Sequence, residues 1–157
     1  MGPDRNVAGQ VSESGPHRRR FTRIASYGII VRGDWILLAR LSPRISSMRR
    51  WTLPGGGVEF GEHPIDALIR EVREETGLAI VPRSLLEVES RILDFPDLDM
   101  HAIRFYFSAE VSGGDLTNEA DGTTDTVEWV PLASARDRPL ADVVHYALEI
   151  LADSQMH

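Results

Sequence analysis

Three glutamates in the middle of the chain have the spacing of one helix face. Glu71, Glu74 and Glu75 stand at positions i, i+3 and i+4, which on a helix brings their Cβ atoms about 5–6 Å apart. Like charges this close destabilise an isolated helix, whereas a hard divalent cation such as Mg²⁺ or Mn²⁺ prefers carboxylate oxygens and offsets the repulsion. The spacing therefore indicates a metal site, and a solvent-exposed helix face is the alternative that it leaves open.

The helix that carries these acids is predicted over Pro64–Thr76, with Pro64 in its first turn and Gly77 just beyond its end. Its core-facing side chains recur at helical spacing and leave the acids on another face: Ile65, Leu68, Ile69, Val72 and Thr76. Upstream, residues 55–57 are three consecutive glycines that end a short strand, and glycine lets the backbone approach a ligand closely. The sequence thus predicts a cleft lined by the acids.

The remaining patterns predict roughly six strands and a second helix. Apolar or alternating runs indicate strands at 27–31, 35–39, 51–53, 85–92, 103–111 and 126–130, with a turn at Gly33-Asp34 between the first two. Polar stretches at 41–50, 94–99 and 113–124 are predicted as loops, and residues 1–20 as a flexible N-terminal tail. An apolar stripe from Leu140 to Leu151 predicts a C-terminal helix. These elements favour an α/β fold, an α/β/α sandwich with a helix on each face of a mixed β-sheet.

Composition narrows the class of protein. The 157 residues suit one domain, and the net charge of -7 argues against a protein that binds nucleic-acid backbones. That charge is unevenly distributed, because residues 1–50 hold ten Arg and three acids, whereas residues 51–157 hold seven Arg and 21 acids. The chain contains no Cys and no apolar run near 18 residues, so we expect no disulfide and no membrane span. Without a signal-peptide core at the N-terminus, a cytoplasmic location is expected.

The stretch from Gly56 to Leu78 resembles the signature of the Nudix hydrolase family at every fixed position. It reads Gly56, five residues, Glu62, seven residues, and then Arg70-Glu71-Val72-Arg73-Glu74-Glu75-Thr76-Gly77-Leu78. A looser resemblance in the order of elements covers about residues 22–152. It implies a single Nudix hydrolase domain over residues 21–157, with the signature helix and the C-terminal helix on opposite faces of the mixed sheet.

The resemblance implies an enzyme that hydrolyses a diphosphate linkage with Mg²⁺ or Mn²⁺. It implies metal ligands at Glu71, Glu74 and Glu75 and at the carbonyl of Gly55, with Glu71 and Glu74 as catalytic residues. The metal would lower the pKa of a water, a carboxylate would take its proton, and the water would attack phosphorus. Glu71 is our candidate for that base, and a glutamate outside the signature is the alternative. The implied substrates are a nucleoside triphosphate, ADP-ribose, a nucleoside diphosphate sugar or a dinucleotide polyphosphate.

Further site residues follow from the same resemblance. Arg70 and Glu62 are expected to brace the catalytic loop, and Glu59 to make a water-mediated metal contact or none. A loop near the last strand is expected to add an acid, for which Glu119 fits best. Its alternatives are Asp121, Glu128 or no loop acid at all. From the basic half of the chain, a phosphate contact is a hypothesis for Arg40, Arg49 or Arg50.

Two other interpretations of the sequence remain open. One is a non-catalytic Nudix-fold protein that senses a nucleotide and regulates a partner, and the other is an acidic Ca²⁺-binding protein. The aromatic side chains of Trp51, Phe105 and Tyr106 are predicted either to pack in the core or to stack on a base. As partners we expect a small nucleoside diphosphate derivative, no membrane and no nucleic acid, with the chain as a monomer or homodimer.

Overall fold

The computed structural model describes residues 18–155, which form eight β-strands, two α-helices and one 3₁₀ helix. The strands are β1 (Arg19–Ile29), β2 (Val31–Arg32), β3 (Trp35–Leu41), β4 (Trp51–Thr52), β5 (Gly55–Gly57), β6 (Leu78–Phe95), β7 (Leu98–Gly114) and β8 (Thr124–Pro131). The helices are α1 (Pro64–Thr76) and α2 (Asp142–Ser154), and the 3₁₀ helix spans Leu132–Asp137.

The strands form two four-stranded sheets. The first is mixed and has the order β5-β1-β7-β6, in which β1 runs parallel to β7 and the other pairs are antiparallel. The second is antiparallel, with β3 paired to β2, β4 and β8. Strand β5 (residues 55–57) is therefore the edge strand of the mixed sheet, and its three glycines lie next to β1.

Alternation along the strands places the two helices on opposite faces. In β3, Ile36 and Leu38 pack in the cluster that contains α2, whereas Leu37, between them, packs in the cluster that contains α1. In β7, Tyr106 and Phe107 divide in the same way. Because successive strand side chains point to opposite faces, this division confirms the predicted α/β/α sandwich. The prediction of one sheet was too simple, since the strands divide between two.

Helix α1 has the predicted bounds, and both of its ends have local causes. At the start, the His63 ring accepts a hydrogen bond from the Ile65 N–H at 3.1 Å and Pro64 occupies the first turn. At the end, Gly77 adopts φ 75° and its N–H donates to the Arg73 carbonyl at 3.0 Å. The helix buries Leu68 and Val72 completely, which fixes the rotation of its acidic face.

The largest difference from the sequence prediction is a long hairpin formed by β6 and β7. Residues 94–99, predicted as a loop, continue both strands and reverse between Phe95 and Leu98. Their polar side chains suggested a loop, but the guanidinium of Arg18 forms ion pairs with Asp94 and Asp99 and holds the end of the hairpin. Strand β1 begins at Arg19, inside the range predicted as a tail, and residues 1–17 of that range lie outside the described residues.

The helices of residues 18–155 include no candidate membrane span. None of these helices combines the length and the apolar character that crossing a bilayer requires.

Replacing Gly77 by Ala tests the end of α1. A Cβ at Gly77 would lie 2.4 Å from the Asp115 carbonyl oxygen, and its φ of 75° already disfavours a side chain. We expect Gly77→Ala to lower the free energy of unfolding, measured by urea titration, by at least about 2 kcal/mol. Gly33→Ala is the matched control, because Gly33 has φ 58° but no atom within 4 Å of the position that a Cβ would take. It should lose only about 1 kcal/mol, and equal losses would contradict the packing argument.

Candidate active site

A cleft of about 400 Å³ opens between the glycine strand β5, helix α1 and the beginning of α2. One end is formed by the glycines of β5 and by two carboxylates of α1. The other end is formed by a basic side chain of β7 and by the first residues of α2. The residues that carry its chemistry are Arg23, Tyr27, Gly55, Gly56, Gly57, Glu71, Glu75, Arg104 and Asp142.

The glycines of β5 are required by close contacts. A Cβ at Gly55 would lie 2.1 Å from the Ser26 carbonyl oxygen, and its φ of 142° is one that other residues rarely adopt. A Cβ at Gly56 would lie 2.8 Å from the carboxyl carbon of Glu71. The absence of side chains at these positions therefore lets the carboxylate of Glu71 lie directly against the β5 backbone.

Glu75 is the most deeply buried acid of the cleft, with 3% of its surface exposed. Its Oε2 accepts a hydrogen bond from the Gly55 N–H at 3.4 Å. Burial raises the pKa of Glu75 well above its usual range, and a hydrogen bond to Glu71, together with the charges of Glu71 and Glu119, raises it further. No Arg within residues 18–155 forms an ion pair with Glu75, so its negative charge lacks a basic partner there.

Arg70 organises the neighbouring acids. Its Nε and Nη2 donate to the two carboxylate oxygens of Glu62, each at 2.9 Å, and its Nη1 donates to Glu71 at 2.8 Å. Nη2 also donates to the Gly57 carbonyl at 3.1 Å. The hydrogen bonds from Arg70 lower the pKa of Glu62 to about 2. Arg70 thus links Glu62 and the Gly57 carbonyl, at the two ends of the segment between β5 and α1, to Glu71; bracing of the catalytic loop stays a prediction.

Glu74 and Glu59 are more exposed to solvent than Glu71 and Glu75. The carboxylate of Glu74 is 52% exposed and lies 3.5 Å from Arg70, and Glu74 does not line the cleft. Glu59 is 71% exposed and lies 3.8 Å from Arg70. The structure therefore brings Glu71 and Glu75 together with Gly55, and it leaves Glu74 at the outer side of the same helix face.

The loop between β7 and β8 brings Glu119 to this group. Its charge is close enough to raise the pKa of Glu75, and its Oε2 accepts a hydrogen bond from the Thr124 hydroxyl at 3.1 Å. A Cβ at Gly122 would lie 2.0 Å from the Glu119 carboxyl carbon, so the loop is shaped around this side chain. Glu128, in contrast, forms an ion pair with Arg138 at 2.9 Å. Asp121 has φ 56° and offers its carbonyl to Arg44.

The arginines proposed from the sequence as phosphate contacts are held elsewhere. Arg40 donates to Asp125 at 3.1 Å and to Thr126 at 3.0 Å, and Arg49 forms an ion pair with the same Asp125. Neither lines the cleft, and Arg50 has a side-chain contact to a methionine sulfur. Three aromatic residues lie in or against the hydrophobic clusters, as core packing predicts: Trp51, Phe105 and Tyr106.

Among the charged and aromatic residues of the cleft, four were not selected from the sequence: Arg23, Tyr27, Arg104 and Asp142. Arg23 and Tyr27 lie four residues apart on β1, so the period of two along a strand assigns them to one face. That signal was available in the sequence. The position of Arg104 next to β1 was not, because it depends on the parallel pairing of β1 with β7.

The donor set of the cleft fits a hard divalent cation. Two carboxylates lie side by side in it, one of them is buried without an Arg partner among residues 18–155, and the backbone at Gly56 leaves room beside Glu71. Within residues 18–155, no three acidic or histidine side chains converge as a metal site. The cleft itself thus offers two carboxylates, those of Glu71 and Glu75.

Glu75→Gln tests the cost of this buried charge. Because the pKa of Glu75 is raised in the folded protein, the folded state binds its proton more tightly than the unfolded state. Stability is therefore lost as the pH rises above about 4.3, the ordinary pKa of Glu. With chelator present and near neutral pH, Glu75→Gln should raise the free energy of unfolding by about 1–3 kcal/mol. Glu74→Gln, at an exposed position, should change it by less than about 0.5 kcal/mol. A Glu75→Gln variant that is less stable than the wild type would contradict the charge argument.

Comparison with known proteins agrees with this geometry. A profile of the NUDIX domain matches residues 22–152. Human 8-oxo-dGDP phosphatase NUDT18 is 36% identical over 104 residues, which cover 65% of this chain and 30% of that protein. The NAD-capped RNA hydrolase NudC of Pseudomonas fluorescens is 35% identical over 123 residues, covering 78% of this chain and 41% of that protein. The chain thus spans less than half the length of either curated relative.

A solved structure shows the same fold. The MutT NUDIX hydrolase from Burkholderia pseudomallei superposes with a TM-score of 0.70 at 28% identity, covering 82% of this chain and 97% of that one. The profile match includes the glycine strand, helix α1 and both cleft carboxylates, and it confirms the resemblance carried by Gly56 to Leu78. The chain therefore belongs to the Nudix hydrolase family.

Proposed function

We propose that this protein is a metal-dependent hydrolase that cleaves the diphosphate linkage of a nucleoside diphosphate derivative. The observation that carries the proposal is the pairing of Glu71 and Glu75 against the glycine backbone of β5. Glu75 is buried there without a basic partner, so an approaching cation gains the attraction of a desolvated carboxylate. Membership of the family supports the reaction class.

The carboxylates of Glu71, Glu74 and Glu75 and the carbonyl of Gly55 are the groups that would hold Mg²⁺ or Mn²⁺. When bound, the cation supplies positive charge that neutralises diphosphate oxygens and lowers the pKa of water. Glu75 and Gly55 are already joined by a hydrogen bond, so α1 and β5 hold their ligand groups in place. Glu74 would join this set from the outer side, and Glu119 would contribute further negative charge.

Glu71 is the proposed general base. Its carboxylate lies against the Gly56 backbone inside the cleft, and Arg70 holds it there by a hydrogen bond of 2.8 Å. As the general base, the Glu71 carboxylate would accept the proton of the attacking water. The water oxygen then forms a bond to one phosphorus, and the bond from that phosphorus to the bridging oxygen breaks, so the other phosphate leaves.

The cleft also suits the anionic part of such a substrate. Arg23 approaches within 3.6 Å of the Cβ position at Gly57, so its guanidinium lies beside the glycine strand. The names of the two relatives refer to 8-oxo-dGDP and to NAD-capped RNA. A nucleoside diphosphate group occurs in both, which supports the proposed substrate class for this chain.

The test is a substrate screen combined with carboxylate variants. Protein with Mg²⁺ is incubated with nucleoside triphosphates, 8-oxo-dGDP, NAD, ADP-ribose and nucleoside diphosphate sugars, and phosphate-containing products are quantified. We expect turnover that a chelator abolishes and Mg²⁺ restores. For the best substrate, Glu71→Gln and Glu75→Gln should each lower kcat by about 100-fold or more, because each removes a base or a metal ligand. We expect a loss for Glu74→Gln as well, although its carboxylate lies farther out.

Asp66→Asn is the matched control, since Asp66 is an exposed acid in the first turn of the same helix. It should retain kcat within about twofold, because it lies outside the cleft. Undiminished turnover in both Glu71→Gln and Glu75→Gln would refute the site. Nucleotide binding by calorimetry without any turnover would instead favour the non-catalytic sensor.

A further inference from the structure

Strand β6 forms an open edge of the mixed sheet. It is the terminal strand in the order β5-β1-β7-β6, and its pairing with β7 has no register shift over residues 87–95, which we call the edge segment. Among residues 18–155, no other backbone is hydrogen-bonded to the edge segment from its outer side. Such an edge offers a row of backbone N–H and C=O groups to another strand, and natural monomers usually keep their edges short, covered or interrupted.

Two apolar side chains of the edge segment are exposed to solvent. Val88 is 43% exposed and Ile92 is 63% exposed. Val88 is paired with Phe105 of β7, which packs against the cluster of α1, and Ile92 lies on the same face because it is four residues farther along the strand. A strand paired with this edge would remove part of both side chains from water, which is favourable.

The edge segment is complementary to itself in one antiparallel register. When two copies pair about a two-fold axis through Ser90, each residue lies opposite the residue that is equally far from Ser90 in the second copy. Val88 is then opposite Ile92, and Glu89 is opposite Arg91. The axis repeats each of these pairs, so the dimer contains both of them twice. Paired apolar side chains and opposite charges both stabilise antiparallel strands.

The neighbouring registers bring like charges together. Residues that are directly opposite share a face of the sheet, so the axis passes through a residue and not between two. An axis through Glu89 sets that carboxylate opposite its own copy, and an axis through Arg91 does the same for the guanidinium. An axis through Val88 sets Glu87 opposite Glu89. Because like charges directly opposite are destabilising, charge selects the register about Ser90.

We propose that the protein forms a homodimer by antiparallel pairing of the edge segments of two copies about Ser90. The pairing joins the two mixed sheets into one continuous sheet, and it selects the homodimer from the two states that the sequence left open. Arg91 lies 3.2 Å from Asp142 and 4.0 Å from Glu89 of its own copy, yet it is 46% exposed and keeps donors for Glu89 of the second copy. The edge segment does not line the cleft, so the proposal is independent of the proposed function.

A single cysteine tests the register, because the sequence contains no other Cys. Ser90→Cys places two thiols at the axis, where opposite Cβ atoms are about 4.5–5.5 Å apart, close to the spacing of a disulfide. Ser84→Cys is the matched control, since Ser84 is also an exposed serine of β6 but its two copies would be about 40 Å apart. Under mild oxidation, the covalent dimer of Ser90→Cys should form at least about 10-fold faster than that of Ser84→Cys. Equal rates would overturn the proposal.

Sedimentation velocity measures the dimer in wild-type protein. The paired area is small, so we expect a weak dimer with a dissociation constant of about 1–100 µM, which shows as a concentration-dependent sedimentation coefficient. A protein that stays monomeric at about 500 µM, well above this range, would overturn the proposal. A dimer that forms while Ser90→Cys fails to cross-link would also overturn it, because another surface would then join the copies.

Ile92→Lys tests the contribution of the apolar pairs. A lysine there meets Val88 twice in each dimer, so the dissociation constant should rise about 10-fold or more. Val81→Lys is the control, because Val81 is 38% exposed on the same strand but lies outside the edge segment. It should leave the constant within about twofold. Equal effects of the two variants would overturn the proposal, and cross-linking of Ser90→Cys still decides the question if Ile92→Lys does not fold.

Discussion

The burial of the Glu75 carboxylate beside Glu71, with no basic partner of its own among residues 18–155, is the constraint on which the site depends. An isolated buried carboxylate is costly, and a second carboxylate beside it adds to the cost. The fold limits that cost in two ways. The Gly55 N–H donates to Glu75, and Arg70 offsets part of the charge of Glu71 and Glu62, so an excess of negative charge remains that a cation would neutralise. Gly56 matters for a related reason, because a side chain there would meet the carboxylate of Glu71.

Strand β1 connects the two ends of the cleft. It pairs with the glycine strand on one side and with β7 on the other, so the carboxylate end and the Arg104 end of the cleft share one rigid support. Strand β1 also places Tyr27 in the cleft, while Ile29 and Ile30, at and just after the end of the strand, pack into different halves of the core. The same pairing that builds the core therefore sets the separation between the two chemical groups of the cleft.

Local signals made α1 and its acids predictable, whereas long-range pairing decided the rest. Pro64, the apolar stripe and Gly77 just beyond the helix define its 13 residues locally, and the spacing of Glu71 and Glu75 then follows. The length of the β6–β7 hairpin was underestimated because ion pairs with Arg18 stabilise its polar end, and Arg18 is far from the hairpin in the sequence. Arg40 was proposed for phosphate from its basic surroundings, but the structure pairs it with Asp125, 85 residues away. Such ion pairs leave no periodic trace in a sequence.

The two arginines of the site, Arg70 and Arg104, differ in how fully the protein uses their hydrogen-bonding groups. Arg70 uses all three of its nitrogens on protein acceptors, which include Glu62, Glu71 and the Gly57 carbonyl. With its capacity spent, it orders the loop and offers a ligand little. Arg104 is more deeply buried, yet it bonds through Nη1 alone and leaves Nε without an acceptor in the described residues. Since desolvating a donor is costly unless something bonds to it, the buried Nε of Arg104 lowers the net contribution of this side chain to the stability of the fold.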